Sequence, residues 1–155
     1  MKLLLMRHGE AEANASTDAE RELTRTGKSD NQSIARAIAE RGLQPEIIIA
    51  SPYRRAQQTA QIVQRELTKS ATNSPAIETS DLFTPDENVM TAIRYLATRQ
   101  EQTILVVTHN PLVSGLINMI CSDAGVVRMG TSSVVEIDAE FVDIGSGELQ
   151  WQRHC

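Results

Sequence analysis

The sequence predicts an α/β fold in three layers, α/β/α, with a mostly parallel sheet and an antiparallel C-terminal edge. Three observations carry this. Short apolar runs of strand length, Lys2–Met6, Glu46–Ala50 and Thr103–Thr108, alternate with longer stretches of helical period. These runs are almost wholly apolar, as strands covered on both faces are, rather than alternating in and out. Near the C-terminus the pattern changes: Ser132–Asp138 and Glu148–Arg153 flank a Gly-Ser-Gly turn at 145–147, which reads as a hairpin.

Each element has its local reason. After the first strand, Asn14–Leu23 is polar and reads as a loop. Thr24 caps a helix running to about Arg41, with Ile34 and Ile38 on its apolar face and Gly42 as its stop signal. After the second strand, Ser51 suits an N-cap and Pro52 the first helical position. Ala56, Ala60, Val63 and Leu67 then form one helical stripe. Lys69–Ala76 is a polar connection, and Ile77–Phe83 reads as a weaker strand. Thr84, Pro85 and Asp86 start a further helix with Val89, Ile93 and Leu96 inward. Asn110 and Pro111 repeat the cap-and-proline signature before the apolar face Leu112, Val113, Leu116, Ile117 and Ile120.

Length and composition narrow the class. A chain of 155 residues, 41% apolar, suits one domain spanning 1–155 with a sizeable core. The net charge of −5 and the lack of a basic block point away from nucleic acid. No apolar run has the length of a membrane span. One lysine followed by only four apolar residues before Arg7 does not read as a secretion signal. The two cysteines, Cys121 and Cys155, form no metal or redox spacing, and the expected setting is the reduced cytoplasm.

Chemistry concentrates at three strand ends. The first strand leaves the core through Arg7-His8-Gly9, the second through Ser51-Pro52-Tyr53-Arg54-Arg55, the third through Thr108-His109-Asn110-Pro111. Ligands of open α/β sheets bind beyond the carboxyl ends of the strands, so parallel pairing collects these residues at one edge. That edge offers two imidazoles, at least two guanidiniums and two helix N-termini, a set suited to an anion. Gly9 lets the backbone turn closely around it. On the second helix, Arg55 borders the buried stripe while Arg54 points nearly opposite it, so Arg55 is expected in the site and Arg54 in solvent. His154, next to the C-terminus, is expected to have no role.

Arg7-His8-Gly9, the stretch SPYRRAQQT from Ser51 to Thr59, and His109 at the end of the third strong strand together resemble the histidine phosphatase superfamily. The likeness covers essentially the whole chain, and length and segment order resemble its small branch of protein phosphohistidine phosphatases. It implies a phosphoglycerate-mutase-like sheet without a large lid. It further implies that His8 is the nucleophile and that Arg7, Arg55 and His109 hold the phosphate oxygens, with Asn14 as a further phosphate ligand. Phosphoryl transfer needs positioned cations on the equatorial oxygens, which arginine forks supply. Neighbouring cations would keep the His8 ring neutral, whereas His109 would serve best protonated.

The leaving-group acid of larger relatives has no matching motif here. Asp81 and Glu10 are the candidates; Asp81 reads equally as a loop residue, and Glu10 equally as a group that orients the loop. Short connections after the central strands imply an open site, able to admit a phosphorylated side chain of another protein. The expected activity is therefore metal-independent, cofactor-free hydrolysis of phosphohistidine on a phosphotransfer or phosphorelay protein. A small-molecule phosphomonoesterase and a non-catalytic phosphate-binding module are the alternatives.

Overall fold

The computed structural model describes residues 1–155, and its strands end where the chemistry does. The chain runs through β1 (Lys2–Arg7), α1 (Arg25–Glu40), β2 (Ile47–Ala50), α2 (Arg54–Thr68) and β3 (Ala76–Thr79). It continues through α3 (Val89–Ala97), β4 (Thr103–Thr108), α4 (Leu112–Ile120), β5 (Val134–Ala139) and β6 (Gly147–Arg153). The six strands form one sheet in the order β3-β2-β4-β1-β5-β6. β1 to β4 pair in parallel, and β5 and β6 add the antiparallel edge.

Successive strand residues face opposite sides, and each side has its own helices. Leu3, Leu5, Ile49, Ile104 and Val106 pack with α3 and α4. Leu4, Met6, Ile48, Leu105 and Val107 pack with α1 and α2. Both faces are therefore dry, which is why the strand sequences carry no polar alternation. No helix is long and apolar enough to cross a membrane.

Register does the positioning. Arg7 lies opposite Thr108, and Ala50 opposite Val107, so β1, β4 and β2 finish level with one another. The ladder extends one step past their ends: His8 N–H donates to the Thr108 carbonyl at 3.0 Å, and Ser51 N–H to the Val107 carbonyl at 3.1 Å. His8, His109 and Ser51 consequently leave the sheet side by side.

Thr24 caps α1 as expected, its hydroxyl accepting from the Gly27 N–H, and Gly42 follows the helix with φ +79°. Four boundaries differ from expectation. α2 begins at Arg54 with Tyr53 as N-cap, because the Ser51 hydroxyl is engaged with His109 and with the Tyr53 N–H. α4 begins at Leu112, because the Asn110 side chain is bound to the Met129 carbonyl and to Ser114 instead of capping. β3 is short: Asp81–Phe83 forms a 3₁₀ turn, with the Ser80 side chain accepting from Leu82 N–H and Phe83 swung into the core. Asn88, not Thr84, caps α3, its side chain accepting from the Met90 and Thr91 N–H groups. Gly9 is required for a different reason from the one expected. Its backbone is not in the left-handed region; a Cβ there would stand 2.8 Å from Asn31 Nδ2 and 2.9 Å from the Gly27 carbonyl of α1.

Candidate active site

At the level strand ends the four expected side chains come together. His8 and His109 lie in contact, with ring centroids 4.9 Å apart and planes tilted by 59°. Arg55 Nε–H donates to His8 Nε2 at 3.2 Å. The Arg55 side chain is only 5% exposed, whereas Arg54 is 58% exposed and pairs with Glu22, as the helix phase requires. Tyr53 meets the His109 ring edge-on at 5.0 Å and carries the Arg55 guanidinium over its own ring at 5.1 Å.

The hydrogen bonds fix the His8 tautomer. Nδ1 lies 2.7 Å from the Gly9 carbonyl, which can only accept, so Nδ1 bears the proton. Nε2 is left with its lone pair, turned toward the Arg55 Nε–H. Burial, with Arg55, Arg7 and Arg21 adding to it against the opposing Gly9 carbonyl, pushes the His8 pKa down to about 4. The ring is neutral at physiological pH, with its lone pair at Nε2.

His109 is bound by its Nε2 to the Ser51 hydroxyl at 2.7 Å. Its pKa is pushed down to about 3, first by burial and then by His8. In the free site His109 is neutral, because it is buried among cations. A phosphoryl dianion entering beside it would reverse the sign of that field and favour the imidazolium. Two buried nitrogens in this cluster have no partner in the protein, Arg7 Nε and His109 Nδ1. Each such orphan costs roughly 1–3 kcal/mol, and at the Arg7 Nε–H an incoming acceptor relieves it. Arg7 itself is steadied by an Nη1 hydrogen bond to the Met129 carbonyl.

A second layer holds the loop that carries His8. The Thr59 hydroxyl accepts from the Gly9 N–H and from Asn31 Nδ2, and donates to the Arg55 carbonyl. Asn31 Oδ1 accepts from Ser132 Oγ, and Ser132 N–H donates to the His8 carbonyl. Ser132 sits at φ +61°, a region non-glycine residues seldom adopt, held there by these two bonds. The peptide between His8 and Gly9 is thus tied to α1, α2 and the approach to β5.

The remaining candidates lie apart from this cluster. Asn14 is in the exposed loop, beside Glu12, Glu20, Glu22 and Arg54, and its side chain bonds no protein group. The Glu10 carboxylate accepts from the Thr24 hydroxyl at 2.6 Å, so it ties the loop to the α1 cap. Asp81 opens the 3₁₀ turn, exposed. His154 Nδ1 lies 2.8 Å from the Ser133 hydroxyl. Three residues absent from the expected set enter the site. Tyr53 and Ser51 are two. Asp18 is the third: its carbonyl and carboxylate accept from Arg55 Nη1 and Nη2, at 2.7 and 3.2 Å. No group of three His, Cys, Asp or Glu side chains is placed to hold a metal ion.

Residues 3–82 match the family described as the histidine phosphatase superfamily (branch 1). The chain is 28% identical to phosphohistidine phosphatase SixA of Escherichia coli K12, over 98% of this chain and 92% of that protein. It is 30% identical to the SixA homolog of Haemophilus influenzae, over 76% of this chain and 75% of the relative. In three dimensions it resembles the protein histidine phosphatase SixA complexed with tungstate, with a TM-score of 0.85, 26% identity, and 98% and 96% of the two chains covered.

Proposed function

Because the chain belongs to the histidine phosphatase superfamily (branch 1), we propose that it hydrolyses phosphohistidine on a protein through a phosphoenzyme at His8. The observation that carries this is the His8 ring itself. It is neutral, with its proton fixed on Nδ1 and its Nε2 lone pair facing the edge of a buried arginine. A binding module needs the arginine but has no use for the lone pair. The similarity to SixA, a phosphohistidine phosphatase, over almost the full chain supports the substrate class.

In the first step His8 Nε2 attacks phosphorus as the substrate's P–N bond breaks, and the bonding pair returns to the departing imidazole. The lateral edge of Arg55, the Arg7 Nε–H and the His109 ring meet the equatorial oxygens, where charge is spread in the transition state. Water then attacks the phosphorus of phospho-His8, releasing phosphate and restoring the free ring. The leaving group explains why no dedicated acid is needed. An alkoxide is a poor leaving group and takes a proton from a placed carboxylic acid. Phosphohistidine can already carry a proton on its other ring nitrogen, so the imidazole departs neutral. None of the carboxylates is set up as an acid. Glu10 orients the loop, and Asp18 is held ionised by its hydrogen bond to Arg21 and by Arg55. The natural substrate is a phosphotransfer or phosphorelay domain presenting its phosphohistidine to this site, and two unpaired thiols suit a cytoplasmic reaction.

The test is a comparison of substrates. kcat/KM for a histidine-phosphorylated protein should exceed that for an alkyl phosphate such as phosphoglycerate by several orders of magnitude. Asp81→Asn and Glu10→Gln should leave the phosphohistidine rate nearly unchanged. Comparable rates on phosphoglycerate, or collapse in either variant, would put an acid to work and replace this reading with a small-molecule phosphomonoesterase.

Metal independence follows from the donor set. Arg7 and Arg55 flank the two imidazoles, and two fixed cations would repel a third. Treatment with a strong chelator should leave turnover unchanged. Loss of activity restored by one divalent ion would refute the proposed chemistry.

A further inference from the structure

The Asp18 carboxylate bridges two guanidiniums: Oδ1 accepts from Arg21 Nη1 at 3.0 Å and Oδ2 from Arg55 Nη2 at 3.2 Å. Arg21 is itself anchored by an Nε hydrogen bond to the Glu12 carbonyl. On Arg55, Asp18 takes the end of the fork, Nη1 and Nη2, while Nε on the lateral edge faces His8. The molecule therefore contains two anion positions on one arginine. The lateral edge serves the phosphoryl group. The outer end, completed by Arg21, is a carboxylate clamp filled from within the chain.

We infer that Asp18 is a specificity-determining residue: it occupies the position a second acid group on the substrate would take, and so excludes phosphate esters that carry a carboxylate. Three observations converge on this. Two arginines in a bridging arrangement are what a carboxylate ligand needs. The Asp18 side chain is 57% exposed, so the clamp opens to solvent and a ligand group can reach it. Asp18 stays ionised under the hold of Arg21 and Arg55, so it repels a second anion as well as blocking its place. The phosphohistidine side chain itself carries no carboxylate to be turned away. Rejection of this kind works through the unfavourable element set against the wrong ligand. The inference rests on the reading of His8, Arg7 and Arg55 as the phosphoryl centre.

A matched pair of ligands tests it. 3-Phosphoglycerate and glycerol 3-phosphate differ in a carboxylate against a hydroxymethyl group. Their dissociation constants are measured by calorimetry for the wild type, Asp18→Ala and Asp18→Asn. The ratio should move toward 3-phosphoglycerate by about tenfold or more in Asp18→Ala, the worth of one charge-assisted hydrogen bond. Asp18→Asn, which removes the charge but still fills the clamp, should move it less. A purely structural role for Asp18 would change both constants by one factor, and an unmoved or reversed ratio overturns the inference while leaving the phosphoryl centre intact. Failure of both ligands to bind any of the proteins would overturn the phosphoryl centre and this inference with it.

Discussion

His8→Ala is expected to abolish turnover, by about 10⁴-fold or more, and to leave no acid-labile phosphate on the protein. The size follows from the covalent step, since removing the nucleophile removes the pathway rather than one contact to the transition state. The two rings are distinguishable on geometry. His8 has its proton fixed on Nδ1 by the Gly9 carbonyl and its Nε2 lone pair turned toward the Arg55 Nε–H, whereas the His109 Nε2 is committed to the Ser51 hydroxyl. Rapid quenching with isolation of the phosphopeptide checks the assignment. Phosphate recovered on the His109 peptide would reverse the roles of the two histidines. A His8→Ala protein should still bind the phosphorylated partner, because Arg7, Arg55 and the second-layer network are untouched, and it can serve to trap that partner from the same cell.

The second large effect separates neighbours. Arg55→Ala should cost on the order of 10³-fold in kcat/KM, the range found when an arginine serving a transferring phosphoryl group is removed. Arg54→Ala should stay within about threefold, because an exposed ion pair such as that with Glu22 contributes little. Arg55→Lys should not rescue. Lysine has no planar fork and cannot offer one edge toward His8 while its end is held by Asp18. Steady-state kinetics on all three variants decide it, with thermal melts to confirm that each remains folded. Equal losses at Arg54 and Arg55 would remove the case built on helix phase and burial.

Most of the strands, the helices and four chemical residues are legible in the amino-acid sequence alone. Runs such as Leu3–Met6 and Ile104–Val107 are apolar throughout because both of their faces are buried, and that is a local signature of a covered parallel sheet. Parallel strands imply a common edge for their carboxyl ends, which put Arg7, His8, Arg55 and His109 in one place by topology alone. Helix phase separated Arg55 from Arg54 for the same kind of reason, since 100° per residue is a property of the backbone and not of its surroundings.

What tertiary structure alone decided is which competing partner each polar side chain takes. Ser51 and Asn110 carry the pattern of N-caps, but His109 and the Met129 carbonyl reach them across the sheet, and the helices start later in consequence. Gly9 looks like a turn glycine and is instead a close-approach glycine against α1. The charge state of His109 depends on burial among Arg55, Arg7 and His8, which no spacing reveals. Asp18 sits in a polar loop with no motif, and its grip on Arg55 spans 37 residues of sequence. Periodicity and capping act over a few neighbouring residues and can be read along the chain. Hydrogen-bond partners and desolvation are set by groups distant in sequence, so they exist only once the strand ends have been brought level.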